Sequence, residues 1–140
     1  MPNEWMRGGQ PPPDVARRVM DVMGDDVWRS LGERWSRVIA IDPNARLTQW
    51  YRNPSQIRTE FLRNPRAAWL TEHGVGLAVD VTPAAALRRA FIEQARREGF
   101  HVQTYASSPH VHVAAVSADE WRRSPLRAWL SSVLGPRPAR

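Results

Sequence analysis

His73, Asp80, His110 and His112 are the residues of this chain whose types and spacing best suit chemistry. His110 and His112 alternate with Val111 and Val113. Residues two apart on a strand share a face, so both imidazoles should point one way and both valines toward the core. The same parity sets Asp80 and Ala78 opposite Leu77, Val79 and Val81. Asp80 is the lone carboxylate in the apolar stretch from Val75 to Val81, and burying it unpaired would be costly. A bound cation would resolve that cost. There is no cysteine, so a metal site here must be built from His, Asp and Glu. Plainer readings fit the spacing too. A His-x-His can be an exposed strand face, Asp80 can pair with an arginine, and the chain can be a basic domain without a metal.

The elements that must position these groups follow from periodicity and punctuation. Asp14 is expected to N-cap a helix from Val15 to about Met23, and a second helix should run from Val27 to about Val38 with Trp28, Leu31 and Trp35 at helical spacing. Ala45 to Tyr51 reads as a strand and Pro54 to Arg63 as a helix. Asn64 to Gly74 is a loop carrying Trp69 and His73; Gly76 to Val81 is a strand. Thr82 and Pro83 should open a helix to about Glu98 that buries Leu87, Ala90, Phe91 and Ala95, with Gly99 stopping it. Strands are expected over residues 100–105 and 110–115, joined by a turn at 106–109. Ser117 and Glu120 read as a capping box for one last helix through Trp121, Leu126 and Trp129. The fold class is α+β: a small antiparallel sheet flanked by helices, forming one domain over 14–134 between an extended leader (1–13) and a loose tail (135–140).

The 140 residues suit a single domain with enough core to fold unaided. The formal charge is +6, carried entirely by arginine. Such a surplus favours polyanions, but the arginines are scattered in pairs and no nucleic-acid module is present, so no nucleic-acid partner is expected. Neither a secretory signal nor a membrane span is legible. The localisation expected is cytoplasmic synthesis with action at the cell wall, reached by phage lysis or carriage on a virion.

Residues 71–81 read T-E-H-G-V-G-L-A-V-D-V, which fits H-x-x-G-x-A-x-D without a gap. This closely resembles the zinc D-alanyl-D-alanine carboxypeptidase family, whose motif is typically S-x-H-x-x-G-x-A-x-D. That family includes L-alanyl-D-glutamate peptidases of phage endolysins and is related in fold to the hedgehog signalling domain. Ala45 to Arg52 resembles the family's strand ending in T-S-G-Y-R, and His110-Val111-His112-Val113 its closing strand. The resemblance spans about residues 45–115.

The resemblance implies zinc held by His73, Asp80 and His112, with a fourth position open to water as a catalytic site needs. Gly74 and Gly76 would let the backbone bend around the metal. Arg52 matches an arginine that steadies substrate or oxyanion, and His110 a histidine that bonds the water or the tetrahedral intermediate. The family's usual Glu or Asp, three residues before the last ligand, is here Pro109. Glu72 is the backup base. Trp50, Tyr51 and Trp69 are candidates to line a substrate groove, and Thr48 to support a ligand; His101 should lie exposed and apart. The activity implied is hydrolysis of peptide bonds in peptidoglycan stem peptides. Pro109 leaves a second reading: a non-catalytic virion or wall-binding protein that keeps the fold.

Overall fold

The structure is a computed structural model that describes residues 11–64 and 66–139. The expected leader falls mostly outside these residues. The α+β reading holds. A four-stranded antiparallel sheet comprises β1 (Arg46–Gln49), β2 (Ala78–Thr82), β3 (His101–Tyr105) and β4 (Ser108–Ala114), in the order β1-β2-β4-β3. The helices are α1 (Pro13–Met23), α2 (Asp25–Ile39), α3 (Pro54–Arg63), α4 (Arg88–Arg97), α5 (Ala118–Arg123) and α6 (Pro125–Leu134). No helix among the described residues is long and apolar enough to cross a membrane.

The core lies on one side of the sheet. Val79 and Val81 of β2 and Val111 and Val113 of β4 are all fully buried. Helix α2 brings Trp28, Leu31, Trp35 and Val38 to this side, the 3-4-3 spacing of one helical face. Trp35 meets Trp50, Phe91 and Phe100 edge-on, at 5.9–6.1 Å between ring centroids. Helix α3 starts on a capping box, in which Asn53 and Gln56 each accept the other's backbone N–H, with Pro54 at the first helical position.

Three expectations need correction. Asp14 is not the cap of α1; Pro12 holds that position without a side-chain bond, and Asp14 lies in the first turn. Thr82 does not open a helix. Its backbone continues the β2 ladder opposite Arg46, and Asp42 Oδ2 accepts the Ala84 N–H at 2.8 Å. The chain then makes one 3-10 turn, Ala85–Leu87, before α4 begins. Three residues per turn shift the phase of the apolar face, so Leu87 is 39% exposed and Ala90 is exposed too. Finally, the last helix is two. Pro125 biases Ser124 away from helical geometry, and Ser124 is extended at φ −72°, ψ 136°. The Ser124 hydroxyl then caps α6. The capping box at Ser117 and Glu120 is present as expected.

Candidate metal centre

His73 sits on a short 3-10 turn, Glu72–Val75, between α3 and β2. Thr71 caps this turn by accepting the His73 N–H, and Gly76 ends it in the left-handed region at φ 74°. The Arg52 N–H donates to the His73 carbonyl at 2.8 Å, which ties the turn to the end of the β1 segment. Gly74 has a different task from the bend expected of it. A Cβ there would lie 2.7 Å from Leu130 Cδ2 and 3.0 Å from Ile57 Cδ1. It is needed because α3 and α6 press against the turn.

The His73 ring is 2% exposed. Its Nδ1 lies 2.6 Å from the Trp50 carbonyl, an acceptor only, so the proton sits on Nδ1. Nε2 is thereby left with a free lone pair, 3.4 Å from Asp80 Oδ1. Asp80 and His112 are direct partners across β2 and β4. His112 Nδ1 lies 3.0 Å from the same Asp80 oxygen. The three donor atoms lie within 4.8 Å of one another. A tetrahedral ion with bonds of 2.0–2.1 Å needs ligand separations of about 3.3 Å, which both pairs made by Asp80 approach. Two neutral imidazole nitrogens and one carboxylate suit a divalent first-row metal. Binding would displace the proton His112 now shares with Asp80.

The surroundings of Asp80 are ordered. Its Oδ2 faces Arg52 Nη2 at 3.5 Å, and Arg52 Nε donates to Gln49 at 2.9 Å. The Thr48 hydroxyl donates to the Asp80 carbonyl at 3.2 Å. Burial alone would raise the Asp80 pKa, but the hydrogen bond from His112 and the neighbouring His73 ring outweigh it and hold the carboxyl well below its ordinary range. The arginine pairing and the metal-ready cluster therefore coexist: one oxygen serves each. Glu72, adjacent to His73 in the chain, also turns inward. Its Oε2 is 3.8 Å from His112 Nε2.

The trio lines a cleft of about 1010 Å³ that also takes in Arg52, Glu72 and His110. His110 lies one two-residue step from His112 on the same face of β4, with Tyr105 stacked on its ring at 4.7 Å. The three aromatic groove candidates do not line this cleft. Trp50 is a core residue; it serves the site through its carbonyl instead. Tyr51 packs against the core. Trp69 is buried against Phe61 and donates to the Gly135 carbonyl at 3.1 Å. The aromatic that does line the cleft is Tyr105, with Gln103 beside it. Burial, followed by the charges of Asp80 and Glu72, pushes the Tyr105 hydroxyl up in pKa. Register could have exposed both residues, since Gln103 pairs directly with His112, but the pairing partner of β3 is not written in its own sequence. His101 is exposed as expected, yet it shares the cleft face at the far end, 3.8 Å from Glu120.

No known protein family matches the chain, and no curated protein matches it in sequence.

Proposed function

We propose that this protein is a zinc metallopeptidase of the D-alanyl-D-alanine carboxypeptidase type, hedgehog-related in fold, that hydrolyses peptide bonds in peptidoglycan stem peptides. The observation that carries the reading is the convergence of His73, Asp80 and His112 at the floor of an open cleft. The motif at 73–80 supports the choice of zinc and of peptide substrates over other metals and chemistries. When bound, zinc would supply Lewis acidity toward the scissile carbonyl.

The chain's own groups would do the rest. His73, Asp80 and His112 hold the metal, and the Trp50 carbonyl fixes the tautomer of His73. Arg52, anchored to Gln49 and Asp80, offers its remaining N–H groups to an oxyanion or a substrate carboxylate. In the overall reaction water adds to the carbonyl carbon and the C–N bond breaks. The acyl half leaves as a carboxylate and the amine carries away a proton. His110 and Glu72 are the cleft groups able to handle that proton. Action at the cell wall, through phage lysis or carriage on a virion, belongs to the same proposal.

The test is digestion of purified muropeptides with zinc-loaded protein, read by mass spectrometry. Shortened peptides, lost in His73→Ala, are the expected result. Intact muropeptides beside a full complement of zinc would instead favour the non-catalytic wall-binding reading, for which Pro109 at the family's acidic position is the specific support.

A further inference from the structure

Gln49 of β1, Asp80 of β2, His112 of β4 and Gln103 of β3 stand in direct register across the sheet, and all of them line the cleft. The central two are candidate metal ligands, and a glutamine flanks them on each side. The two glutamines are used differently. Gln49 is committed, because its Oε1 accepts the Arg52 Nε–H at 2.9 Å. Gln103 is exposed, and its carboxamide makes no hydrogen bond with any described residue. Its neighbour Val102 pairs with the buried Val113, so strand parity holds Gln103 on the cleft face. The other cleft-facing residues of β3 are engaged: His101 lies 3.8 Å from Glu120, and Tyr105 stacks on His110 at 4.7 Å. The unengaged residue of the strand is therefore the one beside the metal pair.

The cluster is thus flanked by charge on one side and by a neutral group on the other. Toward β1, Arg52 offers a cation. Toward β3, Gln103 offers an uncharged carbonyl and NH2, able to accept and to donate at once. A peptide group presents the matching C=O and N–H. The spacing fits as well. Neighbouring strands lie about 4.8 Å apart, and successive Cα atoms of a peptide about 3.8 Å. A chain crossing the strands from the metal pair toward β3 brings its next peptide group over Gln103. We infer that Gln103 is a specificity-determining residue that binds the peptide group on the acyl side of the scissile bond. The inference rests on the peptidase reading for the bond that is cut. It gives the substrate a direction: the group that Arg52 holds lies toward β1, and the uncharged acyl chain lies over β3.

The experiment titrates two hydroxamates with the same zinc-binding head into the zinc-loaded full chain, read by calorimetry. Acetohydroxamate carries no peptide group. N-acetylalanine hydroxamate, used as each enantiomer, adds one on the acyl side of the head. One enantiomer should bind the parent protein more tightly than acetohydroxamate. Gln103→Leu, which keeps the bulk and removes the polar atoms, should weaken that enantiomer about tenfold and leave acetohydroxamate unchanged. An equal loss for both probes would place the effect at the metal and overturn the inference. So would an alanine probe that binds the parent no better than acetohydroxamate, or one that Gln103→Leu does not weaken; Gln103 would then be a solvated edge residue. In muropeptide hydrolysis, Gln103→Leu should raise KM about tenfold with kcat little changed, the mark of lost uniform binding. Intact muropeptides beside probes that still separate would sink the peptidase reading and keep Gln103 as a peptide-binding residue.

Discussion

The two faces of β2 and β4 differ sharply, although they share a backbone. One face carries Val79, Val81, Val111 and Val113, each without measurable exposure, against the helices and tryptophans of the core. The other carries Asp80, His110 and His112 into an open cleft. Strand parity enforces the division, since a shift by one residue would swap every side chain. A small domain can in this way carry a charged cluster beside its core. The apolar face supplies stability and a rigid ladder, and that ladder sets the Asp80–His112 pair in register. The third candidate ligand does not come from the sheet. His73 is delivered by a turn wedged between α3 and α6 and held to the Trp50 carbonyl.

If the faces divide the work in this way, substitutions should separate function from stability. The largest functional effect is expected from His73→Ala or Asp80→Ala. Either should reduce bound zinc from one per chain to none by elemental analysis. Lewis-acid stabilisation is worth several kcal/mol, so kcat/KM should fall on the order of 10³-fold or more. Retention of a full zinc complement in both variants would dissolve the division, because the cleft face would then not be the metal face.

On the opposite face the pattern should reverse. Val111→Ala removes two methyl groups from a filled core and should cost about 2 kcal/mol in urea unfolding while keeping the zinc stoichiometry. Gly74→Ala probes the seam between the two regions. Its new Cβ meets Leu130 and Ile57, both about 1% exposed, so neither has free space to move into. The expected cost is about 1–3 kcal/mol of overpacking, accompanied by weaker zinc binding as the turn carrying His73 shifts. Loss of stability without any change in zinc affinity would show that the turn can move independently of the ligand it carries.

Strand parity made the cluster legible in the sequence: the alternations around Asp80 and His112 stated which side each residue faces, and the structure agrees. The aromatics were not legible. Trp69 reads equally well as groove or core and Trp50, on a strand, more readily as core; the packing of α2 and of the tail near Gly135 decides both for core. Tyr105 and Gln103 reach the cleft through the pairing of β3 with β4, a long-range choice that no local pattern encodes. The start of α4 departs from the local pattern for a related reason. Thr82-Pro83 is a strong local helix signal, but Arg46 and Asp42 claim the backbone of that segment from more than thirty residues away. Where cap and breaker acted alone, as at Asn53-Pro54 and Ser117, the boundaries were right.

The smallest expected effect lies at the rim, where α5 begins beside His101 and neither face dominates. Glu120 accepts the Ser117 backbone N–H at 2.9 Å, and this bond, reinforced by the Ser117 side chain and the nearby His101, holds its carboxyl below the ordinary glutamate range. A depressed folded-state pKa adds stability above the unfolded value, about 4.3, and loses it as pH falls through the folded value. Glu120→Ala should therefore cost roughly 0.5 kcal/mol at neutral pH, a capping effect discounted for an exposed carboxylate. The gap from the parent protein should close as the pH is lowered from about 4.3 toward 3. Urea titrations at several pH values would read it. A gap that stays constant into acid would mean that the side chain contributes by helix propensity and contact alone. The charge at the rim would then play no part in holding α5 to the end of the cleft.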